Sequence, residues 1–152
     1  SNDGSRGLGD VYKRQQLVSL QEELKQLNLY LEIEKVRFGH RLQFELTDNA
    51  KCDHMQLPAL ILQPLLENAI KFGLYDTLGE VLIKIETDCV AEESLIIEIS
   101  NPFDAHVATN VQGTGFGLAT VQRRLYLLYA RNDLVETKIE QQLFKAKITI
   151  PQ

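Results

Sequence analysis

The sequence lacks an excess of positive charge, and this narrows the partners that it can have. Sixteen Lys and Arg residues stand against 21 Asp and Glu residues, which gives a net charge of −5 at pH 7. Nucleic acids and anionic membranes are bound through basic surfaces that displace their counterions. We therefore expect no nucleic-acid partner, and we expect any bound phosphate to be held by a few placed groups or by a metal ion.

A long hydrophobic run is also lacking. The longest apolar stretch, LPALILQPLL, begins at Leu57 and is interrupted by proline, whereas a membrane-spanning helix needs about 20 consecutive apolar residues. The N-terminus shows no apolar core of a signal peptide. We expect this chain to make no direct membrane contact. With 44% hydrophobic residues among 152, it is expected to fold as one globular domain.

Cysteine is scarce, since the chain has only two. Cys52 and Cys89 are far apart in the sequence and belong to no metal-ligand pattern. Such cysteines are typical of proteins in a reducing compartment. The sequence therefore predicts two free thiols.

The first 15 residues differ from the rest of the chain. They are glycine-rich and show no apolar period before Leu17, and the piece DVYKRQ resembles the translation of a sequencing-library adapter. We interpret residues 1–15 as a disordered artefact of cloning or sequencing. They are left out of the arguments on fold and function.

Apolar periodicity predicts the secondary structure from Leu17 onward. A leucine stripe predicts an amphipathic helix to about Phe38, which packs either on a partner helix or on its own domain. Alternation in residues 42–48 predicts a half-buried strand. The next helix is expected to carry Pro58 in its first turn, where a missing N–H costs little. The stripe consists of Leu17, Leu20, Leu24, Leu27 and Leu31.

The pattern in the second half of the chain predicts four further strands, one long loop and one helix. EVLIKIET and SLIIEIS are typical of neighbouring strands joined by a hairpin. Residues 101–117 form an aperiodic loop of a length that usually has a function. A helix from Leu118 and the strands LVETKIEQ and LFKAKITI follow. The order predicts an α+β two-layer sandwich, with helices on one face of a mixed, mostly antiparallel sheet.

The helix containing LLENAIKFG (65–73) gathers its polar side chains on one side. Glu67 and Lys71 lie opposite a broad apolar face, and Asn68 lies at its border. This arc is either a solvent face, with a Glu67–Lys71 pair worth about 0.3–0.5 kcal/mol, or a binding surface. Pro64 in mid-helix, which costs about 3 kcal/mol when uncompensated, and the poor helix former Asn68 favour binding. Asparagine offers a neutral oxygen to hydrated magnesium with its phosphates.

A glycine string, GTGFGLATV, precedes and enters the last predicted helix. Gly113, Gly115 and Gly117 leave the backbone N–H groups free to close on an anion beside the helix N-terminus. Taken alone, such a string fits a flexible connector equally well.

Three stretches together resemble the ATP-binding domain of sensor histidine kinases, and more narrowly its LytS-like branch. They are YLEIEKVRFGHRL (30–42), LPALILQPLLENAIKFG (57–73) and GTGFGLATVQRRLYLLYA (113–130). The resemblance extends from about Leu17 to Gln152. It implies the Bergerat (GHKL) ATP-binding sandwich that gyrase-type ATPases, heat-shock chaperones and mismatch-repair proteins share.

The resemblance also implies roles for the residues of the helix with the polar arc. Asn68 is expected to hold Mg²⁺ between the phosphates of ATP, and Lys71 to contact the phosphates as a point charge. Glu67 matches the acidic residue that serves as general base in hydrolysing relatives. In a kinase it is expected to orient or deprotonate the incoming histidine.

Further ATP-binding residues follow from the other two stretches. The glycine box, Gly113, Gly115 and Gly117, is expected to cover the phosphates, with the preceding loop as nucleotide lid. Arg124 matches the second arginine of a family motif, and is otherwise a solvated helix charge.

At the end of the strand before the lid, this chain departs from many relatives. They read Asp-Asn-Gly there, and the aspartate accepts a hydrogen bond from the adenine amino group. Here Ser100 takes the aspartate position, Asn101 is retained and Pro102 replaces the glycine. A hydroxyl accepts more weakly than a carboxylate, so adenine recognition is expected to be weaker or altered. Phe72, in place of a common histidine, is expected to be tolerated.

The phosphorylatable histidine of the family has no counterpart in the sequence, because His40, His54 and His106 match no such pattern. We therefore expect the Mg²⁺-dependent transfer of the ATP γ-phosphoryl to a histidine outside this chain, and from there to a response regulator. Residues 16–40 are expected to link to a dimerisation and phosphoacceptor region, and residues 41–152 to form the ATP-binding catalytic domain.

The resemblance places the chain in the cytoplasmic part of a bacterial inner-membrane sensor kinase, which is a homodimer at full length. Two other functions stay open. A degenerate nucleotide-binding or dimerisation module without turnover is favoured by Ser100 and Pro102. An ATPase of the gyrase or chaperone kind is disfavoured by YLEIEKVRF and by the short lid.

Overall fold

The computed structural model describes residues 17–75, 78–103 and 116–152. The helices in these ranges are α1 (Leu20–Phe38), α2 (Leu62–Tyr75) and α3 (Phe116–Tyr129). The strands are β1 (Leu17–Ser19), β2 (Leu42–Thr47), β3 (Gln56–Pro58), β4 (Val81–Val90), β5 (Ser94–Pro102), β6 (Val135–Glu140) and β7 (Leu143–Pro151). Short 3-10 turns at Gly39–Arg41 and Ala50–Cys52 follow α1 and β2.

Five strands form one mixed sheet in the order β2-β4-β5-β7-β6, so that β2 and β6 lie at its edges. β2 and β4 are parallel, and the other neighbours are antiparallel. A parallel pair needs a crossover connection, which contains α2. β1 and β3 form a separate antiparallel pair. The α+β prediction with a mixed, mostly antiparallel sheet is confirmed, as is the hairpin of β4 and β5.

The core lies between the sheet and the helices. Side chains alternate between the faces of a strand, so every second residue of the central strands points to the helical layer and is buried. α2 packs against β4 and β5, and α1 packs against β2. The buried residues that β4, β5 and β7 contribute to this core are Val81, Ile83, Ile85, Leu95, Ile97, Ile99, Ala146, Ile148 and Ile150.

Four leucines of the predicted stripe lie in α1 and pack on their own domain. The prediction that the helix begins at Leu17 was wrong, because Leu17 lies in β1 and pairs with β3. The Ser19 hydroxyl caps the helix, since its Oγ accepts the Glu22 N–H at 3.1 Å. The helix ends at Gly39, whose φ of 62° suits a glycine. The stripe residues buried in the same core as the sheet are Leu20, Leu24, Leu27 and Leu31.

The prediction that Pro58 lies in the first turn of a helix was wrong. Pro58 ends β3 and pairs with Leu17 of β1, and α2 begins only at Leu62. A three-residue strand shows too little periodicity to be recognised, and its partner lies before α1. The later start places Pro64 in the first turn of α2, where no intrahelical hydrogen bond is lost. The argument that Pro64 strains the middle of the helix therefore fails.

The prediction of two free thiols was also wrong, because Cys52 and Cys89 form a disulfide. The parallel pairing of β2 with β4 carries the chain after β2 alongside the end of β4. There the Asn49 N–H donates to Thr87 Oγ1 at 3.0 Å, and Asn49 Nδ2 donates to Asp88 Oδ1 at 3.1 Å. These contacts bring the two cysteine Cα atoms to 5.9 Å from each other.

Candidate functional site

Asn68 lies in the second turn of α2, at the border between the buried and the exposed side of the helix. Only 8% of the residue is exposed. Its carboxamide makes no hydrogen bond within the ranges that the structure describes. Its polar atoms are not sealed from solvent, so the carboxamide of Asn68 is open to a ligand from outside the chain.

Glu67 and Lys71, one residue before and three residues after Asn68, are both exposed. The hydrogen-bond partner of Glu67 is Gln63, whose Nε2 donates to Glu67 Oε1 at 3.0 Å. The ammonium of Lys71 lies 5.7 Å from the centroid of the Phe72 ring. Glu67 therefore binds a neutral neighbour in the preceding turn, and the carboxylate is held on the open side of α2.

The exposed side of α2 faces the C-terminal half of α1 near Glu67. Tyr30 of α1 is half-buried there, and burial raises the pKa of its phenol. The negative charges of Glu34 and Glu67 add to this rise in the pKa. Glu34 is itself buried, with 8% of its surface exposed. The guanidinium of Arg37, 4.0 Å from the Glu34 carboxylate, opposes the rise in the pKa of Tyr30. Glu67 therefore lies near a phenol and near the Glu34–Arg37 ion pair.

The end of β5 lies beside α2. Ser100 and Asn101 are 7% and 1% exposed, and Asn101 Nδ2 donates to the Pro102 carbonyl at 2.8 Å. Gly73 permits the close approach of α2 to the start of β4, the neighbour of this strand in the sheet. A Cβ atom at Gly73 would stand 2.8 Å from Val81 Cγ1 and 3.7 Å from the Cβ of Asn101. Ser100 and Asn101, the residues predicted to recognise adenine, therefore lie on β5, against which α2 with Asn68 packs.

α3 packs against α2 on the same face of the sheet. Gly117 stands in its first turn, whereas Gly113, Gly115 and most of the predicted lid lie outside the described residues. Arg124 lies in the third turn, and its positive charge lowers the pKa of the Glu23 carboxyl in α1. The structure thus places Arg124 near Glu23 of α1.

Glu23 is a residue that the sequence reasoning missed. It is 3% exposed, on the leucine side of α1. Burial, the largest effect on this group, raises the pKa of its carboxyl, while hydrogen bonds from the backbone N–H groups of Leu60 and Leu62 oppose the rise. The available signal was an acidic residue within the leucine stripe, three residues after Leu20 and four before Leu27.

The residues present fit a magnesium-bound nucleotide phosphate. The Asn68 carboxamide offers an oxygen ligand with no competing partner in the described residues, and a hard cation such as Mg²⁺ prefers oxygen ligands. The Lys71 ammonium, one turn later and exposed, offers a positive charge. The arrangement can therefore hold a metal-bound anion beside the N-terminal half of α2.

Solved structures with the same fold are catalytic domains of histidine kinases. The catalytic domain of histidine kinase ThkA matches with a TM-score of 0.61 at 13% sequence identity, covering 89% of this chain and 94% of that chain. The mycobacterial sensor histidine kinase MprB matches with a TM-score of 0.61 at 15% identity, covering 89% and 95%. The fold is that of a histidine kinase catalytic domain.

Sequence comparison identifies the branch. Sensor histidine kinase BtsS of Escherichia coli (strain K12) is 39% identical over 114 residues, covering 72% of this chain and 19% of that protein. Sensor protein LytS of Bacillus subtilis (strain 168) is 38% identical over 128 residues, covering 78% and 22%. Over the matched region the chain is similar to LytS-like sensor histidine kinases, and it spans about a fifth of the length of these relatives.

A family model described as "Histidine kinase" matches residues 7–42, which contain α1. The match begins within the glycine-rich N-terminal segment, residues 1–15. None of the helices in the described ranges has the length and apolarity that crossing a bilayer requires.

Proposed function

We propose that this domain binds Mg²⁺-ATP and donates the γ-phosphoryl group to a histidine of the kinase that lies outside this chain. The observation that carries the proposal is the position of Asn68 at the edge of the core, where its carboxamide is open to solvent and has no hydrogen-bond partner among the described residues. When bound, Mg²⁺ neutralises phosphate charge. The task of Asn68 is to hold that ion with its side-chain oxygen.

The other residues of α2 have complementary roles in the proposal. Lys71 contacts the phosphates as a point charge, for which its exposed position leaves the ammonium available. Glu67 orients the incoming histidine or accepts its proton, and its hydrogen bond from Gln63 keeps the carboxylate on the open side of the helix. Catalysis then rests on positioning and on charge neutralisation.

Residues on neighbouring elements complete the nucleotide site in the proposal. Ser100 and Asn101, buried at the end of β5, face the adenine side. Gly113, Gly115 and Gly117 cover the phosphates through backbone N–H groups. Arg124 contributes a positive charge from α3. The phosphoryl group then passes to a response regulator, and the full-length kinase acts as a homodimer from the cytoplasmic part of an inner-membrane protein.

A degenerate module without kinase turnover is the second candidate. Ser100 and Pro102, in place of the aspartate and glycine of many relatives, favour it. Dimerisation of such a module through the leucine stripe is disfavoured, because Leu20, Leu24, Leu27 and Leu31 are buried in the core and cannot contact a second chain. What distinguishes the two candidates is binding of the nucleotide through Asn68.

Titration with a non-hydrolysable ATP analogue, with and without Mg²⁺, tests the proposal. We expect binding that depends on Mg²⁺ in the wild type, and a loss of at least about tenfold in affinity in Asn68→Ala, because a metal ligand is removed. Asn28→Ala is the matched control, since Asn28 is an exposed asparagine within α1. Equal affinities of Asn68→Ala and Asn28→Ala, or no binding in the wild type, contradict the proposal.

A further inference from the structure

A buried carboxylate connects α1 to the first residues of α2. Glu23 lies in the first turn of α1 and is 3% exposed. Its Oε2 accepts the N–H of Leu60 at 2.9 Å, and its Oε1 accepts the N–H of Leu62 at 3.4 Å. Each oxygen therefore holds a different backbone donor.

These two donors stand where α2 begins. The first N–H groups of a helix have no intrahelical acceptor, and an acidic side chain near them also complements the helix dipole. In most helices the capping side chain is a residue of the same segment. Here the cap of α2 comes from another helix, so the cap also fixes the position of α2 relative to α1.

The backbone around Leu60 shows that this turn is held in place. Leu60 has a φ of 61°, a conformation that a branched side chain rarely adopts. Such a residue persists only where its surroundings fix it. The contacts that do so here are the Glu23 carboxylate on the Leu60 N–H and the hydrogen bond from the Ile61 N–H to the Pro58 carbonyl at 3.3 Å.

The start of α1 is attached to the same stretch of chain. The Leu20 N–H donates to the Met55 carbonyl at 2.7 Å, and the Gln21 N–H donates to the Asp53 carbonyl at 3.1 Å. β1 pairs with β3 directly beside these bonds. Thus Glu23 is part of a rigid connection, and the segment before α2 cannot follow a different path without breaking it.

We propose that Glu23 is a positioning residue for the nucleotide site, which fixes the start of α2 and through it the places of Asn68 and Lys71. This inference rests on the proposed function, in which those two residues hold the metal and the phosphates. Six residues, fewer than two turns of helix, separate Leu62 from Asn68. A displacement of the first turn is therefore passed on to the carboxamide.

The role requires a carboxylate of this length. Glutamine has one acceptor oxygen, and its amide group would present a donor to the second N–H. Aspartate is shorter by one methylene, and alanine offers no acceptor. The charged group that faces Glu23 from α3 is Arg124, whose positive charge favours the ionised carboxyl. Glu23 of α1 thus lies close to both the start of α2 and a charged residue of α3.

Hydrogen exchange of single amides, measured by NMR without nucleotide, tests the clamp directly. We expect the Leu60 and Leu62 amides to exchange at least about tenfold faster in Glu23→Gln, since bonds to a charged acceptor are lost. The Ile97 and Ile99 amides in β5 should keep their wild-type rates. Glu22→Gln is the matched control, because Glu22 is exposed in the same helical turn. Equal acceleration in β5 would mean a general loss of stability and overturns the proposal.

Nucleotide affinity is the second readout, in conditions where both variants are fully folded by circular dichroism. We expect Glu23→Gln to bind the Mg²⁺-ATP analogue about tenfold more weakly than Glu22→Gln, as is usual when a residue that orients a metal ligand is changed. Wild-type affinity in Glu23→Gln overturns the positioning role. Failure of the proposed function is recognised separately, by wild-type protein that does not bind or by Asn68→Ala that binds as well as wild type.

Discussion

A carboxyl group buried as deeply as that of Glu23 titrates differently in the folded and in the unfolded chain. Burial raises its pKa above the ordinary value of 4.5. Between 4.5 and the raised pKa, the folded state binds more protons than the unfolded state, so the group's contribution to stability decreases as the pH rises through this window. Ionisation of Glu23 therefore lowers the free energy of unfolding, and the hydrogen bonds from the Leu60 and Leu62 N–H groups offset only part of this loss.

This gives a prediction for the pH dependence of stability. Glu23→Gln has no such titration, so we expect the free energy of unfolding of the wild type, relative to that of Glu23→Gln, to decrease as the pH rises above 4.5. Urea denaturation of both proteins at a series of pH values measures the difference. A constant difference between wild type and Glu23→Gln would show that the carboxyl titrates normally.

Single residues differ in how far the sequence reveals them. Asn68 could be found because a poor helix former beside an apolar stripe needs an explanation, and its burial agrees with that reasoning. Pro64 was misinterpreted, since its cost depends on where the helix begins. Glu23 was missed because its partners are backbone N–H groups, those of Leu60 just before α2 and of Leu62 at its start, which are remote in sequence. A sequence does not show which carboxylate will accept hydrogen bonds from remote backbone N–H groups.

At the scale of the element, the hairpin of β6 and β7 contains an unusual turn. Gln141 and Gln142 have φ values of 53° and 65°, as in the two-residue turns for which Asn-Gly is preferred. We expect Gln141→Asn/Gln142→Gly to raise the free energy of unfolding by about 1 kcal/mol, because these residues adopt positive φ at less cost. Chemical denaturation measures the change.

The matched control for this turn is Gln141→Ala/Gln142→Ala. Alanine removes the same side chains beyond Cβ but retains the steric conflict of an L-residue at positive φ. This variant should therefore gain nothing. If both double variants were equally stabilised, the backbone explanation would be wrong, and the glutamine side chains themselves would be the unfavourable groups.

The elements that the sequence predicted are those with a local signal. Alternation of apolar residues predicted β2 and the four later strands. β2, β4, β5 and β7 have one face on the core, whereas β6 is exposed except at Val135. β1 and β3 were not predicted, since three residues cannot show a period and each is stabilised by its remote partner. The start of α2 was placed too early for the same reason, because β3 occupies the residues before it.

The disulfide acts on the whole molecule, since it closes a loop between residues 37 apart in sequence. We expect reduction of Cys52–Cys89 to lower the free energy of unfolding by about 2–4 kcal/mol, because the reduced unfolded chain gains conformational freedom. Denaturation of the oxidised and the dithiothreitol-treated protein measures this effect. Cys52→Ala/Cys89→Ala should not respond to the reductant, and a wild type that responds no more than this variant refutes the prediction.

Long-range pairing is the part of the fold that the sequence did not reveal. The fold class followed from the order of helices and strands, and the resemblance of three motifs supplied the architecture. The contact between Cys52 and Cys89, by contrast, depends on β2 lying parallel to β4, which no local pattern specifies. The sequence separation of Cys52 and Cys89 therefore did not indicate that the two residues are in contact.

The two outer strands of the sheet limit how the domain can associate. β2 presents Gln43, Glu45 and Thr47 to solvent, and on β6 the Lys138 ammonium binds the Glu140 carboxylate at 2.8 Å. Charged and polar margins of this kind disfavour growth of the sheet by a strand from another molecule. Recognition by β-augmentation is therefore disfavoured at both margins, which directs docking to the helical layer and its loops.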